Sequence, residues 1–238
     1  MVLNFAHRGS LTEGPENTLP AMKKALEHGA KAIELDVQLT KDQQLVVIHD
    51  HKLTRFNKNA KGLVKDYTLA EIKEIDVGSS FSDEFAGTTL ATLDEILEVI
   101  PKEIVLNIEI KNIPVIYEGI EETLWSCLKN HQRLDNLIIS SFDHVALEKM
   151  QRLEPGIPLG LLFYYRILKP WDYARQTGLE ITSIHPHAGW TDKQLIDECQ
   201  KLGYQVYPFT VNKMAQYHQL VELGVDGVFS NNPKIFTP

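Results

Sequence analysis

Short apolar runs rich in branched side chains alternate along the chain with longer amphipathic segments. A buried parallel strand is a continuous apolar run, whereas a helix packed on a sheet is apolar on one face only. The runs predict strands at 3–6, 32–37, 45–49, 104–110, 136–140, 159–163, 181–184, 205–210 and 227–230. The amphipathic segments predict helices at 18–28, 93–100, 117–131, 144–153, 192–202 and 213–223.

Most of the predicted helices lead directly into a predicted strand, and several end at a glycine. Gly29, Gly203 and Gly224 occupy this position, where a left-handed residue closes the last helical turn without a steric cost. Repeated strand-helix units are typical of a closed parallel barrel. We therefore predict an α/β fold, a TIM (β/α)8 barrel, as a single domain over residues 1–238. The number of predicted strands exceeds eight, so one strand pair or an insertion lies outside the regular barrel.

Residues 52–91 interrupt this regular pattern with polar, glycine-containing sequence and only a weak helical pattern. The segment follows the predicted strand that ends at His49, and it is too short for a conventional separate domain. We interpret it as a small insertion after an early strand. An insertion there would lie near the C-terminal ends of the strands, where barrels of this type build their active sites.

Composition and charge exclude several classes of protein. The chain has 238 residues, 43% apolar and 24% charged, which suffices for a large packed core. A net charge of −8 opposes binding to nucleic acid or to an anionic membrane. No secretory leader or run of about 18 apolar residues is present, so we expect a cytoplasmic protein without stable membrane association. Cys127 and Cys199 lack the spacing of a redox or zinc site and are predicted to pack in the core.

Charged residues cluster at the ends of the early strands. In Glu34-Leu35-Asp36 the strand period of two places both carboxylates on one face, and it does the same for Glu109 and Lys111. Three carboxylates in a barrel mouth are costly to bury without a compensating cation. Hard oxygen ligands favour magnesium or calcium over zinc. The pattern therefore predicts one divalent ion, Mg²⁺ or Ca²⁺, bound by these three acidic residues.

The motifs, taken in order, resemble a known family. "AHRGSLTEGPENTLPA", "IELDVQLTKDQQLVVIHDHKLTR", "LATLDEIL", "LNIEIKN", "LIISSFD", "FTVN" and "GVDGVFSNNP" extend from residue 6 to residue 233. A lone HRG or IEIK would be weak, but the ordered set with these spacings is specific. Together they resemble the glycerophosphodiester phosphodiesterase family.

This resemblance implies a TIM barrel with an inserted segment after an early strand. It also implies metal-dependent hydrolysis of a small glycerophosphodiester to an alcohol and sn-glycerol 3-phosphate. By the same resemblance, the acid/base pair is His7 and His49, the metal ligands are Glu34, Asp36 and Glu109, and the substrate phosphate is bound by Arg8 and Lys111. With pKa values near 6.5, the two histidines can hold opposite protonation states near neutrality.

The resemblance leaves some steps and roles open. The nucleophile is either the glycerol 2-hydroxyl, which gives a cyclic phosphate, or water, and either histidine can be the base. Glu16 and Asn17 are interpreted either as helix caps or as residues that orient the site. Phe142, Trp190 and Phe209 either line the pocket or pack in the core. His185 and His187 have no assigned role, and the sequence does not indicate an oligomeric state.

Some positions depart from the family pattern. Phe209 stands where tryptophan is common, Phe56 where threonine is usual, and the segment 230–233 reads Ser-Asn-Asn-Pro where Thr-Asp is frequent. None of these changes removes a proposed catalytic group. They leave the shape of the pocket, and therefore the preferred alcohol, undetermined.

Two other functions are compatible with the same barrel. A related lipase would act on lysophospholipids and would need an apolar rim. Residues 52–91 show no basic amphipathic or exposed apolar segment, which favours a soluble substrate. A noncatalytic barrel that binds phosphometabolites would keep the cations but would have no need of two histidines.

Overall fold

Strands and helices alternate throughout residues 2–236, which are the residues described by the computed structural model. The strands are β1 Leu3–His7, β2 Ala32–Leu39, β3 Leu45–Val47, β4 Val105–Ile110, β5 Leu137–Ser141, β6 Leu159–Phe163, β7 Ile181–Pro186, β8 Gln205–Val206 and β9 Gly227–Ser230. The helices are α1 Leu19–Glu27, α2 Leu69–Lys73, α3 Leu93–Val99, α4 Ile120–Asn130, α5 His144–Leu153, α6 Pro170–Gln176, α7 Lys193–Lys201 and α8 Met214–Leu223.

The parallel strands form a barrel in the order β8-β7-β6-β5-β4-β2-β1-β9. The ring closes between β8 and β9 through backbone hydrogen bonds. The amide of Asp226 donates to the Val206 carbonyl at 3.2 Å, and the amide of Phe229 donates to the Pro208 carbonyl at 3.0 Å. The predicted (β/α)8 barrel is confirmed, and β3 is the strand beyond the eight.

Strand β8 is shorter than the predicted strand 205–210. Pro208 has no amide hydrogen to donate to a sheet, and the regular ladder ends at Val206. Phe209 then meets His187 of the neighbouring segment in a single bridge. The short strand places the side chain of Phe209 at the mouth of the barrel.

Strand β3 turns back against β2 instead of joining the ring. It is antiparallel to β2, with Val37 opposite Val47, and it ends two residues before the predicted end at His49. The side chain of Gln38 donates to the carbonyls of Ile48 and His49, both at 2.9 Å. This contact holds the segment that carries His49 over the C-terminal end of β2.

The inserted residues 52–91 form three 3-10 turns and the short helix α2. Leu53, Val64, Ile72 and Leu90 build a separate apolar cluster with the outer side of the β3 segment. Helix α2 has five residues, capped by Thr68, and so it falls below the length that a periodic pattern reveals. Helix α6, of seven residues, was also not predicted.

The interior of the barrel changes from apolar to polar along its axis. At the N-terminal end, Phe5, Tyr207 and Phe229 form an aromatic plug, with the rings of Phe5 and Phe229 stacked at 4.6 Å. His7 lies one interior layer above Phe5 because side chains two apart share a face. The plug therefore closes the barrel beneath the charged residues at the C-terminal end. Cys127 and Cys199 are free and buried in the outer core, as predicted. None of the helices within residues 2–236 is long and apolar enough to cross a membrane.

Candidate active site

The C-terminal ends of the barrel strands surround a cavity of about 370 Å³. Its lining residues are His7, Arg8, Glu34, His49, Asn107, Glu109, Lys111, Ser140, Phe142, Leu162, Tyr164, His187, Phe209, Thr210 and Phe229. The structure thus brings most of the residues singled out from the sequence into one place. Asp36 is fully buried between these residues and is joined to them by ion pairs.

Strand register brings the three carboxylates together. Asp36 on β2 lies opposite Glu109 on β4, and Glu34 lies opposite His7 on β1. Each of the three acidic residues offers an oxygen that lies within 4.8 Å of the others' oxygens. Leu35, the residue between the β2 acids, points into the outer core. The alternation expected from the sequence is therefore present in the barrel.

Two cations neutralise part of this negative charge. Arg8 Nε lies 3.2 Å from a carboxylate oxygen of Asp36, and Lys111 Nζ lies 2.8 Å from Glu109 and 3.7 Å from Asp36. Burial alone would lower the pKa of Lys111, but the charges of Glu109 and Asp36 outweigh it and raise that pKa. Burial also opposes ionisation of Asp36, yet Arg8 and Lys111 hold its pKa well below the usual range. Asp36 is therefore a carboxylate held between two cations.

Glu34 is the least compensated acid of the three. Burial, followed by the charges of Asp36 and Glu109, raises its pKa well above the usual value. One carboxylate oxygen of Glu34 and one of Asp36 are buried with no hydrogen-bond donor. Buried acceptors of this kind require a partner. These oxygen ligands fit a hard divalent cation, which would supply the missing positive charge.

His7 is positioned by the far end of the chain. Its Nδ1 lies 2.6 Å from the side-chain oxygen of Asn231. An amide oxygen only accepts, so Nδ1 carries the hydrogen and Nε2, 3.9 Å from Glu34, is the nitrogen left to exchange a proton. Burial, followed by the charge of Arg8, lowers the pKa of His7 to about 4. His7 is consequently a neutral imidazole near neutral pH.

His49 has a different partner. Its Nδ1 donates to the carboxylate of Asp50 at 2.9 Å, and Asp50 in turn pairs with Arg55 Nε at 2.9 Å. The carboxylate also fixes the hydrogen on Nδ1 and leaves Nε2 free. The two histidines therefore share one cavity but are held by different groups, an amide for His7 and a carboxylate for His49.

Glu16 and Asn17 lie behind the cavity wall and do not cap helix α1. Thr18 is the N-cap, so the interpretation of these two residues as caps is wrong. Glu16 accepts hydrogen bonds from Arg8 at 3.2 Å and from Arg55 at 2.5 Å. Asn17 donates to Asp36 at 2.8 Å. These residues fix the groups that line the site.

Aromatic and aliphatic side chains form the opposite wall. Phe142 and Phe209 meet edge to face with ring centres 5.7 Å apart, and Lys111 Nζ lies 5.7 Å above the ring of Phe142. Trp190, for which pocket lining and core packing were both left open, lies outside the cavity and packs against the outer core. Its indole N–H donates to the Tyr164 carbonyl at 3.0 Å.

Several residues of the site had no role assigned from the sequence. His187 reaches the cavity. His185 is fully buried, and a hydrogen bond of 2.7 Å joins its Nε2 to the Ser183 hydroxyl. Asn107 lies two residues before Glu109, so the strand period could have revealed it. Asn231 could not be found in this way, because 224 residues separate it from His7.

Comparison with known proteins gives a consistent result. A profile of the Glycerophosphoryl diester phosphodiesterase family matches residues 7–235. The chain belongs to this family. A glycerophosphodiester phosphodiesterase of Caldanaerobacter subterraneus subsp. tengcongensis is 42% identical over 98% of this chain and 95% of its own length. The protein of the same name from Bacillus altitudinis is 41% identical over 96% of this chain and 94% of its own length.

A solved structure shares the fold as well as the sequence similarity. An Oleispira antarctica phosphodiesterase, in complex with the product sn-glycerol-3-phosphate, superposes with a TM-score of 0.88 and is 35% identical. The similarity covers 98% of this chain and 94% of that one. The family's barrel therefore extends over nearly the whole of both chains.

Proposed function

We propose that the protein hydrolyses glycerophosphodiesters to an alcohol and sn-glycerol 3-phosphate. The observation that carries this proposal is the joint presence, on one cavity, of three carboxylates, two cations and two histidines with free Nε2 atoms. The activity named for the relatives and the product bound by the Oleispira protein support the same reaction. The barrel and its insertion would act as one domain.

The acidic cluster would hold one divalent cation, with Glu34, Asp36 and Glu109 as ligands. When bound, a divalent ion neutralises charge on a phosphodiester and polarises it towards attack. If all five groups are ionised, the three carboxylates with Arg8 and Lys111 carry one net negative charge. A divalent ion would reverse that sign and so make the site attractive to a phosphodiester monoanion. Mg²⁺ and Ca²⁺ both suit this donor set.

Arg8 and Lys111 would bind the phosphate oxygens. Arg8 follows β1 and Lys111 follows β4, so the two cations approach the cavity from separate strands. Ion pairs with Asp36 fix both of them before substrate arrives. Cations held in place in this way stabilise the charge that builds up on the phosphoryl oxygens during attack, without further rearrangement.

The two histidines would share the proton transfers. His7, neutral and held by an amide, suits the base that takes a proton from the nucleophile. His49, held by the carboxylate of Asp50, suits the acid that protonates the departing alkoxide. This pairing of a neutral and a charged partner is the structural basis on which we assign the roles.

A panel assay tests this proposal directly. Metal-free protein would be supplied with Mg²⁺, Ca²⁺ or chelator, and release of glycerol 3-phosphate would be measured from glycerophosphoglycerol, glycerophosphoethanolamine and glycerophosphocholine. We expect turnover that requires a divalent ion. Absence of turnover with every diester and cation would contradict the proposal. The cytoplasmic location and the lack of nucleic-acid binding remain predictions based on composition.

A further inference from the structure

An apolar groove of about 520 Å³ opens next to the catalytic cavity. It is bounded by the loops that follow β4, β5 and β6. The groove is lined by Ile113, Pro114, Phe142, His144, Leu162, Phe163, Tyr164, Tyr165 and Ile167. Phe142, Leu162 and Tyr164 also line the catalytic cavity, so the two spaces are continuous.

The lining of the groove carries no formal charge among the described residues. His144 is its one titratable imidazole, and both ring nitrogens are engaged: Nε2 with the Leu162 carbonyl at 3.2 Å and Nδ1 with the Tyr173 hydroxyl at 2.9 Å. Burial lowers the pKa of His144, which keeps the ring neutral. Tyr165 is 78% exposed and Ile113 is 44% exposed. Apolar surface left open beside a reactive site is characteristic of a ligand-binding groove.

A second depression shares His49 and Lys111 with the cavity and Ile113 and Pro114 with the groove, and its lining mixes polar with apolar residues. Its lining includes His49, Asp50, Lys52, Thr54 and Lys111. The two hydroxyls of a glycerol moiety find hydrogen-bond partners among these residues. The groove offers fewer such partners. Glycerol hydroxyls therefore fit the polar residues of the cavity and of this depression better than they fit the groove.

We propose that the groove binds an alkyl chain on the leaving alcohol, so that the preferred substrates are glycerophosphodiesters of apolar alcohols. This inference rests on the proposed phosphodiesterase function. Continuity with the catalytic cavity argues for a substrate group as the occupant, since Phe142 and Tyr164 would contact both the phosphate region and the chain. The insertion at 52–91, where an apolar rim was sought from the sequence, does not provide the groove.

A homologous series of sn-glycero-3-phospho-n-alkanols, from ethyl to octyl, tests this inference at concentrations at which every ester is monomeric. Glycerol 3-phosphate is the common product. We expect kcat/KM to rise with chain length, by up to about fourfold for each methylene that leaves water, until the groove is filled. Glycerophosphoglycerol serves as the polar reference substrate.

Tyr165→Ser and Ile167→Ser remove apolar surface from the groove without touching the charged residues. We expect both variants to flatten the ratio of octyl to ethyl kcat/KM. Leu202→Ser is the matched control, because Leu202 is an exposed apolar residue at the end of α7, far from the groove in the fold. This control should keep the chain-length dependence of the parent protein.

Four results would overturn the inference. They are a flat chain-length series in the parent protein, an unchanged octyl-to-ethyl ratio in both groove variants, a preference for glycerophosphocholine over every alkyl ester, and a chain-length gain found only for acyl chains on the glycerol. If glycerophosphoglycerol is still hydrolysed, any of these results rejects the inference but leaves the proposed function intact. Failure to hydrolyse any diester would reject both.

Discussion

The two walls of the catalytic cavity stand on the same barrel but differ in how their side chains are held. The charged wall consists of Arg8, Glu34, Asp36, Glu109 and Lys111. The aromatic wall consists of Phe142, Leu162, Tyr164 and Phe209. Ion pairs connect the charged wall, and its residues lie on or directly after β1, β2 and β4. In the aromatic wall, Phe142 and Phe209 meet edge to face. Its residues lie on or after β5 and β6 or in the segment after β8.

This difference separates chemistry from substrate choice. Buried ion pairs add little net stability, since the cost of desolvation offsets their attraction. Asp36 nevertheless keeps two cations in fixed positions, and Glu34 keeps a carboxylate oxygen without a donor. An arrangement of this kind suits reaction with a charged group. The aromatic wall has no buried ion pairs of this kind. Its loops can vary without disturbing the reacting groups.

The largest effect is expected for Glu34→Gln, which removes a proposed metal ligand. In the parent protein a divalent ion at about 100 times its Kd should raise Tm by about 5 to 10 °C. The variant should lose this increase together with metal-dependent turnover, while its metal-free form stays folded because one of three crowded charges is gone. Thermal melts with and without Mg²⁺ or Ca²⁺ measure the effect.

Glu121→Gln is the control for this change, because Glu121 is a fully buried glutamate on α4 that pairs with Lys149. It should keep the whole increase in Tm. An equal increase in Glu34→Gln would show that the cation binds elsewhere.

The next largest effect is expected for Lys111→Ala and Arg8→Ala. Each variant removes a positioned cation from the phosphate, and turnover should fall by about 10²- to 10³-fold. Both should also lose inhibition by free glycerol 3-phosphate. Lys149→Ala is the control, because Lys149 is a cation on α5 that pairs with the buried Glu121 and does not line the cavity. Unchanged kinetics and product inhibition in both site variants would exclude these residues from phosphate binding.

A smaller effect is expected from exchanging the partners of the two histidines. Asn231→Asp places a negative charge beside His7 and should raise its pKa, so the acid limb of the kcat/KM profile moves up by about 1 to 3 pH units. Asp50→Asn replaces the carboxylate that holds the His49 ring with an amide, and kcat/KM should fall across the pH range. Full pH profiles of both variants at saturating metal measure these effects. Movement of the acid limb to lower pH in Asn231→Asp would contradict the assignment of His7 as the base.

The smallest effect is expected on the aromatic wall. Phe209→Leu keeps an apolar side chain but removes the edge contact with Phe142. KM for glycerophosphoglycerol should rise by less than about tenfold, with kcat retained, because only shape complementarity changes. A loss of kcat as large as that of Lys111→Ala would remove the distinction between the two walls.

The charged wall and the barrel could be predicted from the sequence for a common reason. Strand periodicity fixes which residues share a face, so the local sequence is enough to predict that Glu34 and Asp36 point the same way. The ends of parallel strands then meet at one rim of the barrel. Apolar runs and terminal glycines likewise marked most of the strands and helices, and only the short helices α2 and α6 escaped detection.

Phe142 and Phe209 could be named from the sequence only as residues of either the pocket or the core. The rest of the aromatic wall and the partners of the histidines could not be predicted, because loops lack a period. Tyr164 and Tyr165 follow β6 without a pattern that indicates exposure. The sequence could not decide whether Trp190 lines the pocket or packs in the core, and the structure shows it packed against the core. Asn231 reaches His7 only when β9 closes the ring against β1. Contacts of this kind depend on the complete fold and leave no local signal in the sequence.

The central claim is that His7 and His49 act as one acid-base pair on the charged wall. The most direct measurement is kcat for glycerophosphoglycerol in His7→Ala, His49→Ala and the double variant, at saturating metal, with circular dichroism to confirm the fold. Each single change should reduce kcat by about 10²- to 10⁴-fold. The double variant should be far less impaired than the product of the two losses, because the residues act in the same step. Near-normal turnover in either single variant would contradict the paired mechanism.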